Sequence, residues 1–212
     1  MPTDRPFDAL IFDAGGVFVP HDNAVLLERL ASRCTAEQAL ERITAEHYDP
    51  KLGRGETSVS RVHQRLRHEL GYDAGWEVFL EDWSCHLGVD HDMLALMAAL
   101  AAGNRVLVFS NTNAEHWTRV EAMTAGALDR FELYLSHEIG AVKPDLAAFT
   151  LVAERAGVDP TRCLFIDDMA ENVEAARRAG FQAEQFTGQS ALETLLETRG
   201  VRWARNTQEK VA

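Results

Sequence analysis

The stretch FDALIFDAGGVFVP, residues 7–20, sets an acid directly after a short apolar run. Residues 10–12 (LIF) are typical of a buried strand, Asp13 follows at once, and two glycines then interrupt the chain. A turn would explain this pattern, since Asp and Gly are common in turns. A functional carboxylate at the end of a parallel strand would explain it equally, because open α/β sheets place their sites there. The rest of the sequence has to decide between the two.

The composition is that of a globular protein without affinity for polyanions. The chain has 212 residues, of which 46% are hydrophobic and 25% charged, and its formal net charge is -12. An acidic protein repels phosphate backbones and anionic lipid surfaces, so neither nucleic acid nor a membrane is an expected partner. The length allows one large domain, or a core domain with a smaller insert.

Cysteine usage and the N-terminal residues indicate a cytoplasmic protein. Cys34, Cys85 and Cys163 are far apart in sequence, which is typical of reduced thiols and not of a disulfide framework or a zinc site. The first residues lack the apolar run of a signal peptide, and no stretch approaches the roughly 20 apolar residues that cross a bilayer. Nothing in the sequence indicates an oligomeric state.

Between residues 24 and 88 the apolar residues recur at helical spacing, with no convincing strand. This region predicts a bundle of four helices: one around residues 26–30, then TAEQALERITAEHY (35–48), VSRVHQRLRHELG (59–71) and AGWEVFLEDWSCHLG (74–88). Thr35 and Gln38 resemble a capping box at the start of the second helix. KLGRGETS (51–58) is predicted to be a loop, with Thr57 or Ser58 capping the helix that follows.

From Asp90 onward, predicted helices and apolar strands alternate. The strands are RVLVFS (105–110), FELYLS (131–136), RCLFIDD (162–168) and QAEQF (182–186), and Pro144 is expected at the first position of the helix between the middle two. Repeated strand–helix units predict an α/β fold, a Rossmann-like parallel sheet with helices on both faces.

The strand at residues 10–12 belongs to the same sheet, so the helical bundle is an insert after the first strand. We therefore predict a discontinuous α/β core domain at residues 1–19 and 89–205, a helical cap domain at 20–88 and a polar tail at 206–212. Hinges between the two domains are expected near residues 19–22 and 87–90.

Polar residues follow each of the apolar strands. Asp13 follows the first, Ser110 and Asn111 end the second, Lys143 comes after the third, and Asp167 and Asp168 end the fourth. Strand ends of an open parallel sheet meet at one edge, which would gather these groups in one crevice. Each has a simpler explanation alone: Ser110 as a helix cap, Lys143 as a surface residue, the acid pair as a helix start. Four such coincidences at four strand ends favour a site.

The segments FDAGGV, VFSNTN, GAVKPD and FIDDMAENVEAA, in this order and spacing, resemble the haloacid dehalogenase superfamily of hydrolases. The resemblance spans residue 7 to about residue 180. It is to the branch with a helical cap after the first strand, in which segments similar to GRGETS (53–58) are common. The resemblance implies that Asp13 is a nucleophile, which attacks phosphorus to give an aspartyl-phosphate that water then hydrolyses.

The same resemblance implies Mg²⁺ as cofactor and a small phosphorylated metabolite, preferably a sugar phosphate, as substrate. Asp13 and Asp168 are the expected metal ligands, with the Gly15 carbonyl as a third, and Asp167 binds directly or through water. Lys143 would neutralise charge, and the Ser110 hydroxyl with N–H groups of Asn111 and its neighbours would hold the phosphate. The Gly15–Gly16 backbone would allow close approach, and Asn172 would orient the acid pair or Lys143.

One position departs from the family pattern. Most phosphatases of the superfamily carry a second Asp two residues after the nucleophile, as general acid and base for the leaving alcohol, and here that position is Gly15. General acid–base catalysis contributes about 10²–10⁴-fold, so poor leaving groups should react slowly unless another group replaces it. His21 and Asp22, at the predicted domain junction, are the candidates.

Two other functions are compatible with this departure. Dehalogenases of the superfamily also lack the second Asp, attack carbon and need no metal, although the acid pair would repel a carboxylate substrate. A catalytically degenerate member that only binds its ligand is the other alternative. The remaining histidines, among them His47, His86 and His116, have no metal-ligand spacing and are predicted to be surface or packing residues.

Overall fold

A computed structural model describes residues 5–204, and the predicted tail at 206–212 lies outside the described residues. Its five strands form one sheet in the order β3-β2-β1-β4-β5, and all neighbouring strands are parallel. The strands are β1 (Ala9–Phe12), β2 (Val106–Ser110), β3 (Glu132–Leu135), β4 (Cys163–Asp167) and β5 (Gln182–Gln185). This confirms the predicted α/β fold, with the first strand at its centre.

The three central strands are buried along their whole length, as their continuous apolar sequences indicate. Alternate residues face opposite sides of the sheet. Leu10, Val108 and Ile166 pack with the helices α6 (His91–Ala101), α7 (Ala114–Thr124) and α11 (Gln189–Thr198). Ile11, Phe109 and Phe165 pack with α9 (Leu146–Ala156) and α10 (Ala170–Arg178) on the other side.

The helical region between β1 and α6 contains one helix more than the sequence predicted. Its helices are α1 (Asn23–Ala31), α2 (Ala39–His47), α3 (Pro50–Gly53), α4 (Val59–Leu70) and α5 (Trp76–Ser84). The additional α3 lies partly in the predicted loop, and it forms because Asp49 caps it and Pro50 occupies its first position. Ser58 caps α4, as expected. We call residues 20–88 the helical insert.

The predicted capping box of α2 is wrong. The helix begins at Ala39, and Gln38 at its N-cap makes no side-chain hydrogen bond to the helix. The backbone of Thr35 instead donates to the Leu70 carbonyl, which ties this segment to the end of α4. A long-range backbone contact therefore replaces the local one that the sequence suggested.

The prediction that Pro144 occupies the first position of α9 is also wrong. The helix starts at Leu146, and Asp145 before it has an extended backbone with ψ of 126°. The chain turns before the helix, where the Asp145 N–H donates to the Val142 carbonyl at 3.0 Å. The Asn111 side chain binds the backbone of this turn: its Oδ1 accepts from the Lys143 N–H at 2.9 Å and its Nδ2 donates to the Lys143 carbonyl at 2.8 Å. These two bonds hold the segment before the helix in place.

The helical insert has its own apolar core and joins the sheet through two adjacent segments. Leu30, Ile43, Leu66, Phe79 and Trp83 are among its fully buried residues. The linking segments pair through backbone bonds from Gly88 to Pro20 and from Asp90 to Phe18, both of 2.9 Å. We call these paired segments, residues 18–22 and 84–90, the junction. Among the described residues, none of the helices has the length and apolar character to cross a membrane.

Candidate active site

The carboxyl edge of the sheet brings the predicted polar residues together. β2 and β4 flank β1, with Phe12 opposite Val108 on one side and Ile166 on the other. Asp13, Ser110 and Asp167 therefore leave three neighbouring strands at the same level. Lys143 reaches the same place from the segment before α9.

Lys143 forms two ion pairs inside this edge. Its Nζ lies 2.8 Å from Asp13 Oδ1 and 2.7 Å from Asp167 Oδ2, and the ammonium also lies over the rings of Phe109 and Phe165. The residue is only 3% exposed, so it is not a surface lysine. A buried ammonium is tolerated because carboxylates and aromatic faces replace its water.

Asp167 is held by contacts to both of its oxygens. Besides Lys143, it accepts from Asn172 Nδ2 at 3.0 Å and 3.1 Å and from the Met169 N–H at 2.9 Å. Its side chain is fully buried. Asn172 thus contacts Asp167 and makes no hydrogen bond to Lys143.

Three carboxylates in this site face a single ammonium. Asp13, Asp167 and Asp168 each offer an oxygen within 4.8 Å of the others. One lysine leaves two negative charges without a counterion when all three acids are ionised. Carboxylate oxygens that together carry uncompensated negative charge are suitable ligands for a hard divalent cation such as Mg²⁺. The residues present are therefore compatible with a magnesium site.

Burial raises the pKa of the Asp13 carboxyl from 3.8 to about 7. Lys143 acts in the opposite direction and Asp167 adds to the increase, because one ammonium serves two buried acids. Burial also raises the pKa of Asp168, and the neighbouring Asp167 adds to that effect. In the absence of a cation, burial thus opposes the ionisation of Asp13 and of Asp168.

Gly16 is required by the position of Asp168. Its φ is +66°, and a Cβ at this position would lie 2.0 Å from Asp168 Oδ2. Gly15 has more room, since a Cβ there would meet His21 Cε1 at 3.2 Å. The space beside Gly15 is thus flanked by the His21 imidazole.

The segment after β2 differs in part from its predicted role. Ser110 is buried and does not cap α7, because Asn113 is the N-cap and accepts from the His116 N–H at 3.0 Å. The Thr112 N–H donates to Ser136 Oγ at 2.9 Å and is thus engaged within the protein. The Asn111 side chain supports Lys143, a role that no local pattern indicated.

A cavity of about 490 Å³ lies between this edge and the helical insert. The residues that line it from the sheet edge include Gly15, Ser110, Asn111 and Lys143. The lining residues from the insert and the junction include His21, His47, Tyr48 and His86. His21 was a candidate site residue from the sequence, whereas His47 and His86 were not predicted as cavity residues. His47 ends α2 and His86 follows α5, with no common spacing, so only the packing of the insert brings them to the cavity.

Comparisons with known proteins point to one family. Residues 7–180 match the family model described as haloacid dehalogenase-like hydrolase. A phosphatase of Mycobacterium tuberculosis is 41% identical over 117 residues, which cover 54% of this chain and 54% of that protein. The D-ribitol-5-phosphate phosphatase of Bacteroides thetaiotaomicron is 26% identical over 185 residues, which cover 83% of this chain and 90% of that protein.

Solved structures share the fold. A haloacid dehalogenase family enzyme of Bacteroides thetaiotaomicron, in complex with magnesium and inorganic phosphate, has a TM-score of 0.76 at 24% identity, covering 86% of this chain and 96% of that one. A dehalogenase with an intermediate complex has a TM-score of 0.56 at 19% identity, covering 91% of this chain and 98% of that one. Both solved structures thus share the fold of this chain.

Replacing Gly16 tests its contact with Asp168. Gly140 has a φ of +74° and nothing within 4 Å of its Cβ position, so Gly140→Ala isolates the backbone strain. We expect it to lower the free energy of unfolding by about 1–2 kcal/mol. Gly16→Ala must also displace a carboxylate and should lower it by about 3 kcal/mol or more. If urea denaturation shows that Gly16→Ala and Gly140→Ala lower the free energy of unfolding equally, the close approach of Gly16 to Asp168 is contradicted.

The raised pKa of Asp13 predicts a pH dependence of stability in EDTA. The neutral carboxyl stabilises the fold below its ordinary pKa of 3.8, and this contribution is lost as the pH rises toward about 7. Between pH 3.8 and about pH 7, the free energy of unfolding of the wild type should therefore fall by a few kcal/mol relative to that of Asp13→Asn. Urea denaturation at a series of pH values measures this difference. Asp92→Asn, at an exposed position of α6, is the control and should follow the wild type. Parallel curves for wild type and Asp13→Asn would contradict the assignment.

Proposed function

The chain belongs to the haloacid dehalogenase-like hydrolase family, and from this premise we propose that it is a Mg²⁺-dependent phosphomonoester hydrolase. The observation that carries the proposal is the buried Lys143 between Asp13 and Asp167, with Asp168 beside them. A nucleophilic carboxylate can approach a phosphate dianion only where positive charge offsets their repulsion. This edge of the sheet supplies one such charge and the ligands for another.

In the proposed reaction, Asp13 attacks phosphorus and the ester oxygen leaves. The new Asp13–phosphorus bond makes an aspartyl-phosphate, the alcohol takes up a proton, and water then releases inorganic phosphate and restores the carboxylate. Lys143 and the Ala14 N–H both contact Asp13 Oδ1, at 2.8 Å and 2.6 Å. These bonds orient the carboxylate. The Ser110 hydroxyl and the Asn111 N–H are proposed to hold phosphate oxygens, next to the open backbone of Gly15 and Gly16.

The proposed metal ligands are the carboxylates of Asp13 and Asp168 and the Gly15 carbonyl. Mg²⁺ at this position would stabilise the negative charge of the transferred phosphoryl group. Asp167 acts indirectly in this proposal, through Lys143 or a water, because both of its oxygens already accept hydrogen bonds. Asn172 positions it.

We propose that the helical insert, residues 20–88, is a cap domain over a core of residues 1–19 and 89–205. Its own apolar core and the cavity between it and the sheet support this division. Opening at the junction would admit substrate, and closure would exclude bulk water from the aspartyl-phosphate. A cytoplasmic location remains a prediction from the sequence.

The proposed substrate is the phosphate ester of a sugar or polyol. A relative that aligns with most of the chain is named for its action on D-ribitol 5-phosphate. The cavity is large enough for a small metabolite and, among the described residues that line it, contains no arginine.

His21 is the proposed replacement for the missing acid at position 15. Its ring flanks the space beside Gly15 and faces the cavity. Asp22, the other candidate, is engaged elsewhere: its Oδ1 accepts from the Ala24 N–H at 3.0 Å and caps α1. The geometry therefore favours His21 as the donor of a proton to the leaving alcohol.

The two alternatives have less support. A 2-haloacid would bring its own carboxylate to a site with three acids and one ammonium, and repulsion opposes this. A purely binding role would not require Asp167, Asn172 and Asn111 to hold Lys143 against Asp13.

The phosphatase proposal predicts Mg²⁺-dependent phosphate release. Wild-type protein should hydrolyse members of a panel of phosphomonoesters with Mg²⁺, and activity should vanish in EDTA. Asp13→Asn should lower kcat by at least about 10³-fold, because the nucleophile is lost. Asp92→Asn is the matched control and should retain activity. An inactive wild type, with a good leaving group included, would overturn the proposal, and halide release from 2-haloacids would then test the dehalogenase.

The role of His21 predicts a dependence on the leaving group. His21→Ala should slow the hydrolysis of alkyl phosphates by roughly 10²-fold or more, since an alkoxide needs a proton as it leaves. It should change p-nitrophenyl phosphate little, because the phenolate leaves unaided. His91→Ala, at an exposed position of α6, is the control. Equal losses with both substrates would contradict proton donation by His21.

A further inference from the structure

Ser136 binds the segment that follows β2 from behind the cavity wall. It comes directly after β3 and is 0% exposed. Its Oγ accepts from the Thr112 N–H at 2.9 Å and donates to the Thr112 carbonyl at 3.0 Å. One side chain can satisfy both backbone groups because a hydroxyl is a donor and an acceptor at once. Residues 110–113 line the cavity, and Ser136 is not among the described residues that do so.

These two bonds replace strand pairing at the end of the sheet. The backbone pairing of β2 with β3 ends where Ser110 lies opposite Leu135. The chain then turns into a short helix, α8 (Ser136–Ile139). A further strand residue would have offered a backbone donor and a backbone acceptor to the segment after β2. The Ser136 hydroxyl offers both to Thr112, so a side chain holds this segment beyond the last paired residues.

Helix capping does not explain the serine. A serine at the start of a helix typically accepts a hydrogen bond from the helix backbone. The N-cap of α8 is Leu135, however, and it makes no side-chain hydrogen bond. The Ser136 hydroxyl instead reaches across to Thr112, which is 24 residues away in sequence. Its contacts therefore serve the segment after β2 and not the helix that it begins.

The cavity side of the same segment is available to a ligand. Ser110 is only 3% exposed, and among the described residues none forms a hydrogen bond with its hydroxyl. β1 lies beside β2 and leads into Asp13, so a phosphate held by residues 110 and 111 would lie next to the proposed nucleophile. The Asn111 side chain also binds the Lys143 backbone. A displacement of this segment would thus affect both the phosphate donors and the support of Lys143.

We propose that Ser136 is a positioning residue, whose hydroxyl fixes residues 110–112 so that their donors match the transferred phosphoryl group. The inference rests on the proposed phosphatase function and gives a role in it to a residue that does not contact the substrate. Donors that are fixed beforehand stabilise a transition state because they need no reorganisation as charge develops. Binding of the substrate depends less on this alignment, since the charge of Lys143 acts over a longer range.

Removing the hydroxyl tests the proposal. Ser136→Ala should lower kcat for p-nitrophenyl phosphate by roughly 30-fold, because misplaced binding groups cost up to about 10²-fold. KM should change by no more than about threefold, because the contacts act mainly in the transition state. Ser136→Cys keeps a weaker donor and acceptor of similar shape and should recover part of the loss.

Thr124→Val is the matched control. Thr124 is 5% exposed, and its hydroxyl donates to the Glu121 carbonyl at 3.1 Å near the end of α7. The residue is not among the described residues that line the cavity. The variant loses a buried hydroxyl, as Ser136→Ala does, and should keep the kcat of the wild type. Urea denaturation establishes that both variants are folded under the assay conditions.

Orthovanadate separates a positioning role from a merely structural one. Its trigonal-bipyramidal adducts resemble the transition state of phosphoryl transfer, whereas inorganic phosphate resembles the product. Ser136→Ala should weaken inhibition by vanadate roughly 30-fold, and inhibition by phosphate about threefold or less. If both anions lose inhibition by the same factor, or if Ser136→Ala keeps the kcat of the wild type, the inference is overturned and the phosphatase stands.

Failure of the phosphatase itself has a different signature. If wild-type protein hydrolyses no ester, the phosphatase proposal fails, and calorimetric titration with vanadate and Mg²⁺ still decides the role of Ser136. Binding to the wild type that Ser136→Ala weakens roughly 30-fold would support a segment positioned for such an anion. An affinity that the substitution leaves unchanged, or no binding to the wild type, would overturn the inference.

Discussion

A single buried ammonium shared by two carboxylates determines the arrangement of this site. Lys143 connects the end of β1, through Asp13, to the end of β4, through Asp167. Burying a carboxylate or an ammonium at this depth is costly unless oppositely charged partners replace the lost water. The supporting contacts follow from this requirement: Asn111 holds the backbone of Lys143, and Asn172 holds Asp167. The charge that remains uncompensated is what makes the edge a place for a cation.

The electrostatic character changes along the cavity. At the sheet, ionisable groups lie close together and their charges dominate. Toward the helical insert, burial lowers the pKa of the His47 and His86 imidazoles to about 4 and keeps them neutral at pH 7. This division follows from the construction of the molecule, because the sheet contributes strand termini and the insert contributes packed aromatic faces.

Much of the sheet and its polar edge was predictable, because the signals were local. Apolar runs marked the strands, and Asp13, Ser110, Asp167 and Asp168 came directly after them. What the sequence could not show depended on contacts between distant segments. The Asn111 side chain binds the Lys143 backbone before α9, and the Leu70 carbonyl accepts from the Thr35 N–H where a local cap was expected. His47 at the end of α2 and His86 after α5 meet at one cavity through the packing of distant segments, for which no spacing rule exists.

The junction has a consequence for how such a protein can change over evolutionary time. The chain enters the helical insert and returns from it along paired backbone segments, as the bonds from Gly88 to Pro20 and from Asp90 to Phe18 show. Since the entry and exit points are adjacent, the order and register of the strands do not depend on what lies between them. Selection can therefore lengthen, shorten or remodel the insert as a cassette. Because the candidate active-site edge belongs to the sheet, the insert can change while Asp13, Lys143 and Asp167 keep their positions.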